Sequence, residues 1–226
     1  MSNCGKLFVS VLNNRENKWC EENCIITVAQ FGFRKNFSTI DAVFALHSLI
    51  LHFMNMNARL PCAFFDLKHA FDLVYRNALW YKLFNMGIDG NILQIFRSMY
   101  KTVKSCVRHG NNTYSDFFEI SIGLRQGQTS APAMFALFLN DLEIVLHNGP
   151  DSGLTLYEIC ITVLLFADDM VSVGHSVEDL QCSLDRLKEY CDQWGLEVNV
   201  AKTKIVFFAK GVLQRIPKFG FIKKKN

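Results

Sequence analysis

Proline and glycine are scarce in this 226-residue chain, at 4 and 13 residues, while half of all residues are hydrophobic and one in five is charged. That balance excludes a disordered, collagen-like or low-complexity chain. No apolar run reaches the roughly 18 to 20 uninterrupted residues that a membrane span needs. Met1 to Lys6 also lacks the basic start and apolar run of a signal peptide. A soluble, intracellular protein with no membrane partner is expected. Charge of one sign is lacking too: 24 basic against 21 acidic residues leave +3, which permits a nucleic-acid partner and does not require one. No two of the eight cysteines have CxxC spacing, and Cys20 and Cys24 have no downstream Cys or His pair at zinc-finger distance. Reduced thiols are expected rather than a zinc site or a disulfide framework.

What is present is a large aromatic core, with 20 phenylalanines in a length that suits one domain or one and a half. Lys6 to Trp19 carries Leu7, Phe8, Val11 and Leu12 at helical spacing. A second helix is expected from about Ser38 to Met56, capped by Ser38 or Thr39, with Asp41 in its first turn and Ile40, Val43, Phe44, Ile50 and Met54 along one face. After Pro61, Cys62 to Leu67 reads as a short buried strand containing a carboxylate. Helices over Arg76 to Met86 and Gly90 to Lys101 follow, parted by Gly87 and a cap at Asp89. A hairpin comes next, from Val103 to Arg108 and from Thr113 to Ile120.

The polar loop Gly123 to Thr129 leads into a helix expected from Pro132 to about His147, with proline where a helix tolerates it best. Ile159 to Val173 reads as two apolar strands on either side of Asp168 and Asp169. A helix from Ser176 to Trp194, stopped by Gly195, precedes short strands at Leu196 to Val200 and Lys204 to Phe208. This order suits an α+β fold with helices layered on an antiparallel sheet.

The acids carry the functional question. Asp66 ends one apolar strand, and Asp168 and Asp169 occupy a tight turn about a hundred residues later. Carboxylates beside a core are costly unless a cation neutralises them, and Arg, Lys or a metal ion can do so. If the two strands are neighbours, three carboxylates suffice for two Mg²⁺ ions about 3.5 to 4 Å apart, the arrangement of in-line nucleotidyl transfer. An ordinary strand end and an ordinary acidic turn remain the alternative.

Five blocks in order bear on that choice: QFGFRKNFSTIDAVF (30–44), AFFDLKHAFDLV (63–74), GLRQGQTSAPAMFALFLNDL (123–142), LLFADDMVSV (164–173) and WGLEVNVAKTKIVFF (194–208). Over roughly Gly5 to Lys210 the chain resembles the reverse transcriptases of LINE-type, non-LTR retrotransposons. The resemblance implies a right-hand polymerase: partial fingers over 1–60, palm over 61–211, and an unassigned basic tail over 212–226. It implies RNA-directed DNA synthesis from dNTPs on an RNA template and a DNA primer, with two Mg²⁺ ions, or Mn²⁺, held by Asp66, Asp168 and Asp169.

Further roles follow from the same resemblance. Phe71 would stack under the incoming sugar and exclude a 2′-hydroxyl; core packing is its other reading. Gln126 and Gly127 match a loop that touches nucleotide or template, or that merely caps the next helix. Gln30 matches a template contact and Arg34 a phosphate contact, with surface ion pairing open for Arg34. Lys202 matches a lysine proposed to protonate pyrophosphate, or is a solvated lysine at a strand end.

The chain also departs from the family pattern. Ala131 replaces a usual serine, Gln128 and Thr129 replace other residues, and Glu16 stands at a normally apolar helix position. An N-terminal triphosphate-gripping strand and a thumb are expected to be absent, with the resemblance fading after Gly211 and Lys223 to Lys225 an exposed tail. On that expectation the isolated chain has weak activity or none, and a catalytically silent remnant that at most binds nucleic acid is the alternative.

Overall fold

A computed structural model describes residues 3–110, 113–147, 153–156 and 159–210. Helices α1 (Asn3–Glu22) and α2 (Thr39–Asn55) precede strand β1 (Leu60–Asp66), followed by α3 (Arg76–Asn85) and α4 (Gly90–Tyr100). Four two-residue strands come next: β2 (Lys104–Ser105), β3 (Arg108–His109), β4 (Thr113–Tyr114) and β5 (Phe118–Glu119). The remaining elements are α5 (Ala131–Phe138), α6 (Leu142–Leu146), β6 (Leu154–Leu156), β7 (Ile159–Ile161), β8 (Val163–Phe166), β9 (Asp169–Val173), α7 (Val177–Trp194) and β10 (Lys204–Phe208). The fold is mixed α+β, and its main sheet has the antiparallel order β10-β1-β9-β8.

The sheet sorts its side chains by strand alternation. Ala63, Phe65 and Met170 enter the larger core, together with apolar residues of α3, α5 and α7. Cys62, Val173 and Leu60 face Leu49 and Phe53 of α2 in a second, smaller core. Helix α2 therefore covers one face of the sheet and the other helices cover the opposite one.

Local signals place several ends. The Asp41 carboxylate accepts from the backbone N–H and the hydroxyl of Ser38 at 2.7 and 2.6 Å, closing the start of α2. The Ser176 hydroxyl accepts from the Asp179 N–H at 3.1 Å, and Gly195 ends α7 in the left-handed region at φ 73°.

Other expectations are corrected. On α1 the buried stripe is Val9, Leu12, Glu16 and Cys20, whereas Leu7, Phe8 and Val11 are exposed; a glutamate inside the stripe masks its apolar period. On α2, Ile40, Val43 and Phe44 are exposed, and burial falls on Leu49 and Phe53, because only the second half of the helix lies on the smaller core. The helix expected over 132–147 is two helices. Between them Asn140 donates to the Ile25 carbonyl and accepts from the Thr27 N–H, both at 2.8 Å, while Asp141 pairs with buried Lys82 at 2.6 Å. Those long-range bonds draw residues 139–141 out of helical register. Leu196 to Val200 is not a strand; Val198 alone forms a bridge, to Leu67. Ile159–Ile161 pairs with β6, so the acidic hairpin is β8–β9 only. The hairpin over 103–120 is present as β2 with β5 and β3 with β4. The basic tail expected over 212–226 lies outside the described residues.

Candidate active site

Strands β1 and β9 meet in a register that sets Asp66 directly opposite Asp169. Opposed residues of an antiparallel pair share a face, so both carboxylates belong to the α2 side of the sheet. There they line a cavity of about 470 Å³ whose walls include Thr39 and Val43 of α2, Phe64, Val171 and Lys202. Asp168 lies one residue away in the turn, which Ala167 enters at φ 61°.

Asp66 is held on two sides. Its Oδ2 accepts from Asn199 Nδ2 at 2.9 Å and lies 3.1 Å from Lys202 Nζ, and its carbonyl accepts from the Asn199 N–H at 2.8 Å. Partial desolvation raises the Asp169 carboxyl above its ordinary range, the charges of Asp168 and Asp66 add to this, and Lys202 opposes them. Among the described residues no three His, Cys, Asp or Glu side chains form a group able to hold a metal ion. The oxygen donors brought together are therefore the Asp66 and Asp169 pair. Crowded carboxylates at a cavity, one with a raised pKa, are a donor set suited to a hard divalent cation.

Of the other expected residues only Lys202 lines that cavity. The Phe71 ring is half-buried and stacks on Phe135, with centroids 4.8 Å apart. Gln126 is exposed and donates to the Asp72 carboxylate at 3.0 Å. Gly127 has φ 78° with open space where a Cβ would stand, so its backbone conformation rather than crowding favours glycine. Arg34 gives Nε and Nη2 to both carboxylate oxygens of Glu21 at 3.0 and 2.9 Å, and Nη1 to the Thr27 carbonyl at 3.1 Å. That bidentate pair lowers the Glu21 pKa. Gln30 is 1% exposed, and its Oε1 accepts from the N–H groups of Gly32 and Ala167 at 2.8 and 3.2 Å.

Three supporting residues escaped sequence reasoning. Asn199, three positions before Lys202, orients Asp66; the Asn-x-x-Lys spacing was its available signal. Gly32 lies so close to the acidic turn that a Cβ there would stand 2.5 Å from Ala167 N. Arg76, buried on α3, donates to the carbonyls of Gly123, Ile120 and Ile122 at 2.8, 2.7 and 2.9 Å. It anchors the segment that runs from β5 into the Gln126 loop, and nothing local in the sequence marks it.

The family model for reverse transcriptase (RNA-dependent DNA polymerase) matches residues 5–222. The chain belongs to the reverse transcriptase family. The match runs past residue 210, where the resemblance was expected to fade. This reverse transcriptase domain is 27% identical over 206 residues to the probable RNA-directed DNA polymerase from transposon BS of Drosophila melanogaster, covering 90% of this chain and 22% of that protein. It is 24% identical over 217 residues to the RNA-directed DNA polymerase from mobile element jockey of the same organism, covering 91% and 22%. Over 138 residues it is 26% identical to a Pol polyprotein from the type-1 retrotransposable element R2 of Popillia japonica, covering 61% and 19%. The domain thus spans about a fifth of the length of the curated relatives it matches.

Among solved structures, apo telomerase from Candida tropicalis superposes with a TM-score of 0.65 at 14% identity, over 88% of this chain and 35% of that one. Telomerase from Candida albicans, in complex with a fragment of telomeric RNA, gives 0.64 at 15% identity, over 95% and 36%. These likenesses concern the fold. Among the described residues no helix is long and apolar enough to cross a membrane.

Proposed function

We propose that this reverse transcriptase domain is the palm, with part of the fingers, of a polymerase that adds dNTPs to a DNA primer along an RNA template. One observation carries the reading: Asp66 and Asp169, from strands a hundred residues apart, stand opposite each other at a cavity. Asp66, Asp169 and the adjacent Asp168 would hold Mg²⁺, which when bound supplies an activated 3′-hydroxyl and charge neutralisation on the pyrophosphate.

The chain's own residues do the rest. Asn199 orients Asp66, and Lys202, 68% exposed at its side chain, carries a proton beside that carboxylate and donates it to the departing pyrophosphate. Phe71, whose ring stacks on Phe135, would meet the 2′ position of a nucleotide. Gln126 and Gly127, both exposed, would receive nucleotide or template. Arg34 is committed to Glu21, so a phosphate would have to displace a bidentate carboxylate; this favours the ion-pair reading of that residue. Gln30, buried, supports the site from within.

Primer extension on an RNA template with dNTPs and Mg²⁺ tests the reading, with Asp168→Asn and Asp169→Asn as controls. Extension by the unmodified chain well above both controls is expected. Equal extension would reject the active-enzyme reading for this chain and leave its family membership intact. The second reading, a catalytically silent remnant, is favoured by one observation: Glu16 is 1% exposed and neither carboxylate oxygen has a partner among the described residues.

A further inference from the structure

The segment around Gln30 is bound to the edge of the acidic hairpin. Residues 29–31 run parallel to β8, with the Phe31 N–H donating to the Leu165 carbonyl and the Leu165 N–H to the Ala29 carbonyl, both at 2.8 Å. Beyond that rung the Gln30 side chain turns inward. Its Oε1 bridges two backbone N–H groups, that of Gly32 at 2.8 Å and that of Ala167 at 3.2 Å. Ala167 is the residue before Asp168 and holds φ 61°, a left-handed conformation that costs an L-residue free energy unless its surroundings impose it. A Cβ at Gly32 would fall 2.5 Å from Ala167 N and 3.0 Å from the Gln30 oxygen, so the approach exists only because residue 32 is glycine.

We infer that Gln30 is a positioning residue: its Oε1, given room by Gly32, fixes the left-handed Ala167 turn and so sets where Asp168 and Asp169 are presented. The inference rests on the reading of those aspartates as a cation site. It gives the 30–33 segment a part in that site that needs no contact with template. The acceptor is buried, so water does not compete for the Ala167 N–H, and a satisfied buried bond is costly to leave unmade.

Gln30→Met retains side-chain length and removes the acceptor; Gln30→Glu retains the acceptor. By amide hydrogen exchange followed by NMR, Gln30→Met should speed exchange at Ala167 about tenfold, the loss expected for one buried hydrogen bond, while Met170 and Val171 keep their protection. Gln30→Glu should restore protection at Ala167. Mn²⁺ affinity, read by electron paramagnetic resonance without nucleotide or primer, should fall about tenfold in Gln30→Met, the usual cost of removing an outer-shell support. Unchanged exchange at Ala167, equal acceleration across β8 and β9, or unchanged Mn²⁺ affinity would each overturn the inference. If Gln30→Met does not fold, Gly32→Ala serves: displaced Ala167 and Asp168 amide resonances with weaker Mn²⁺ binding support the inference, and undisplaced resonances reject it. The amide readouts need no polymerisation. A chain that fails to extend primers yet shows these changes loses the proposed function and keeps the clamp.

Discussion

Lys202 Nζ lies 3.1 Å from Asp66 Oδ2, so a mostly exposed cation is the partner of a mostly buried carboxylate. Two properties should then separate on substitution. Lys202→Met removes positive charge beside the aspartates, and Mg²⁺ affinity should rise a few-fold by simple Coulomb relief. Turnover should fall about a hundredfold if the lysine is the proton donor. Calorimetric Mg²⁺ titration and single-nucleotide extension measure the two. A fall in both together would assign Lys202 to holding Asp66 alone.

The Phe71 ring has a structural load whatever its role toward nucleotides, since it stacks on Phe135 at an interplanar angle of 27°. Phe71→Ala should cost about 1 to 3 kcal/mol in urea unfolding, below a full core truncation because the ring is only half-buried. In an active chain it should also relax discrimination against rNTPs by about tenfold or more. An unchanged dNTP/rNTP ratio would leave packing as its role.

Arg76 places one charge among several backbone carbonyls, those of Ile120, Ile122 and Gly123 among them. Arg76→Met should destabilise the domain by about 3 kcal/mol, because buried acceptors of charged donors are left unmade. The loss reads as a lowered urea midpoint. Limited proteolysis should show the first new cleavage within residues 120–127, the stretch this guanidinium holds.

Glu16 predicts an unusual pH dependence. Burial pushes its carboxyl from 4.5 up to about 8, so the folded chain keeps a proton that the unfolded chain gives up at lower pH. Stability from this group is complete below about pH 4.5 and is lost as pH rises toward 8, at about 1.4 kcal/mol per pH unit within that window. Glu16→Leu should abolish this slope and raise the melting temperature most at pH 8. Thermal unfolding at pH 5 and pH 8 decides it: a wild-type chain equally stable at both, relative to Glu16→Leu, would show the carboxylate to be solvated.

Much of this domain was legible where a signal is local. Ser176 and Gly195 bracket α7, Ser38 and Asp41 open α2, and a short apolar run marks β1. The aspartates were legible because carboxylates at the ends of apolar strands contradict the composition around them. Errors arose where a distant partner overrides the local period. Asn140 and Asp141 break a helix to serve Ile25, Thr27 and Lys82, and exposed Val43 of α2 overhangs a cavity instead of a core.

The amino-acid sequence by itself determined the family and the α+β class and marked Asp66, Asp168 and Asp169 as candidates, because ordered motifs, caps and periodicities are properties of neighbours along the chain. Only the tertiary structure decided that Asp66 faces Asp169, that Arg34 is taken up by Glu21, and that Gln30 turns inward to the Ala167 turn. Each of those facts depends on strand register or on packing between segments far apart in sequence. A one-residue slip of β1 against β9 would move Asp66 to the other face of the sheet without changing any local pattern.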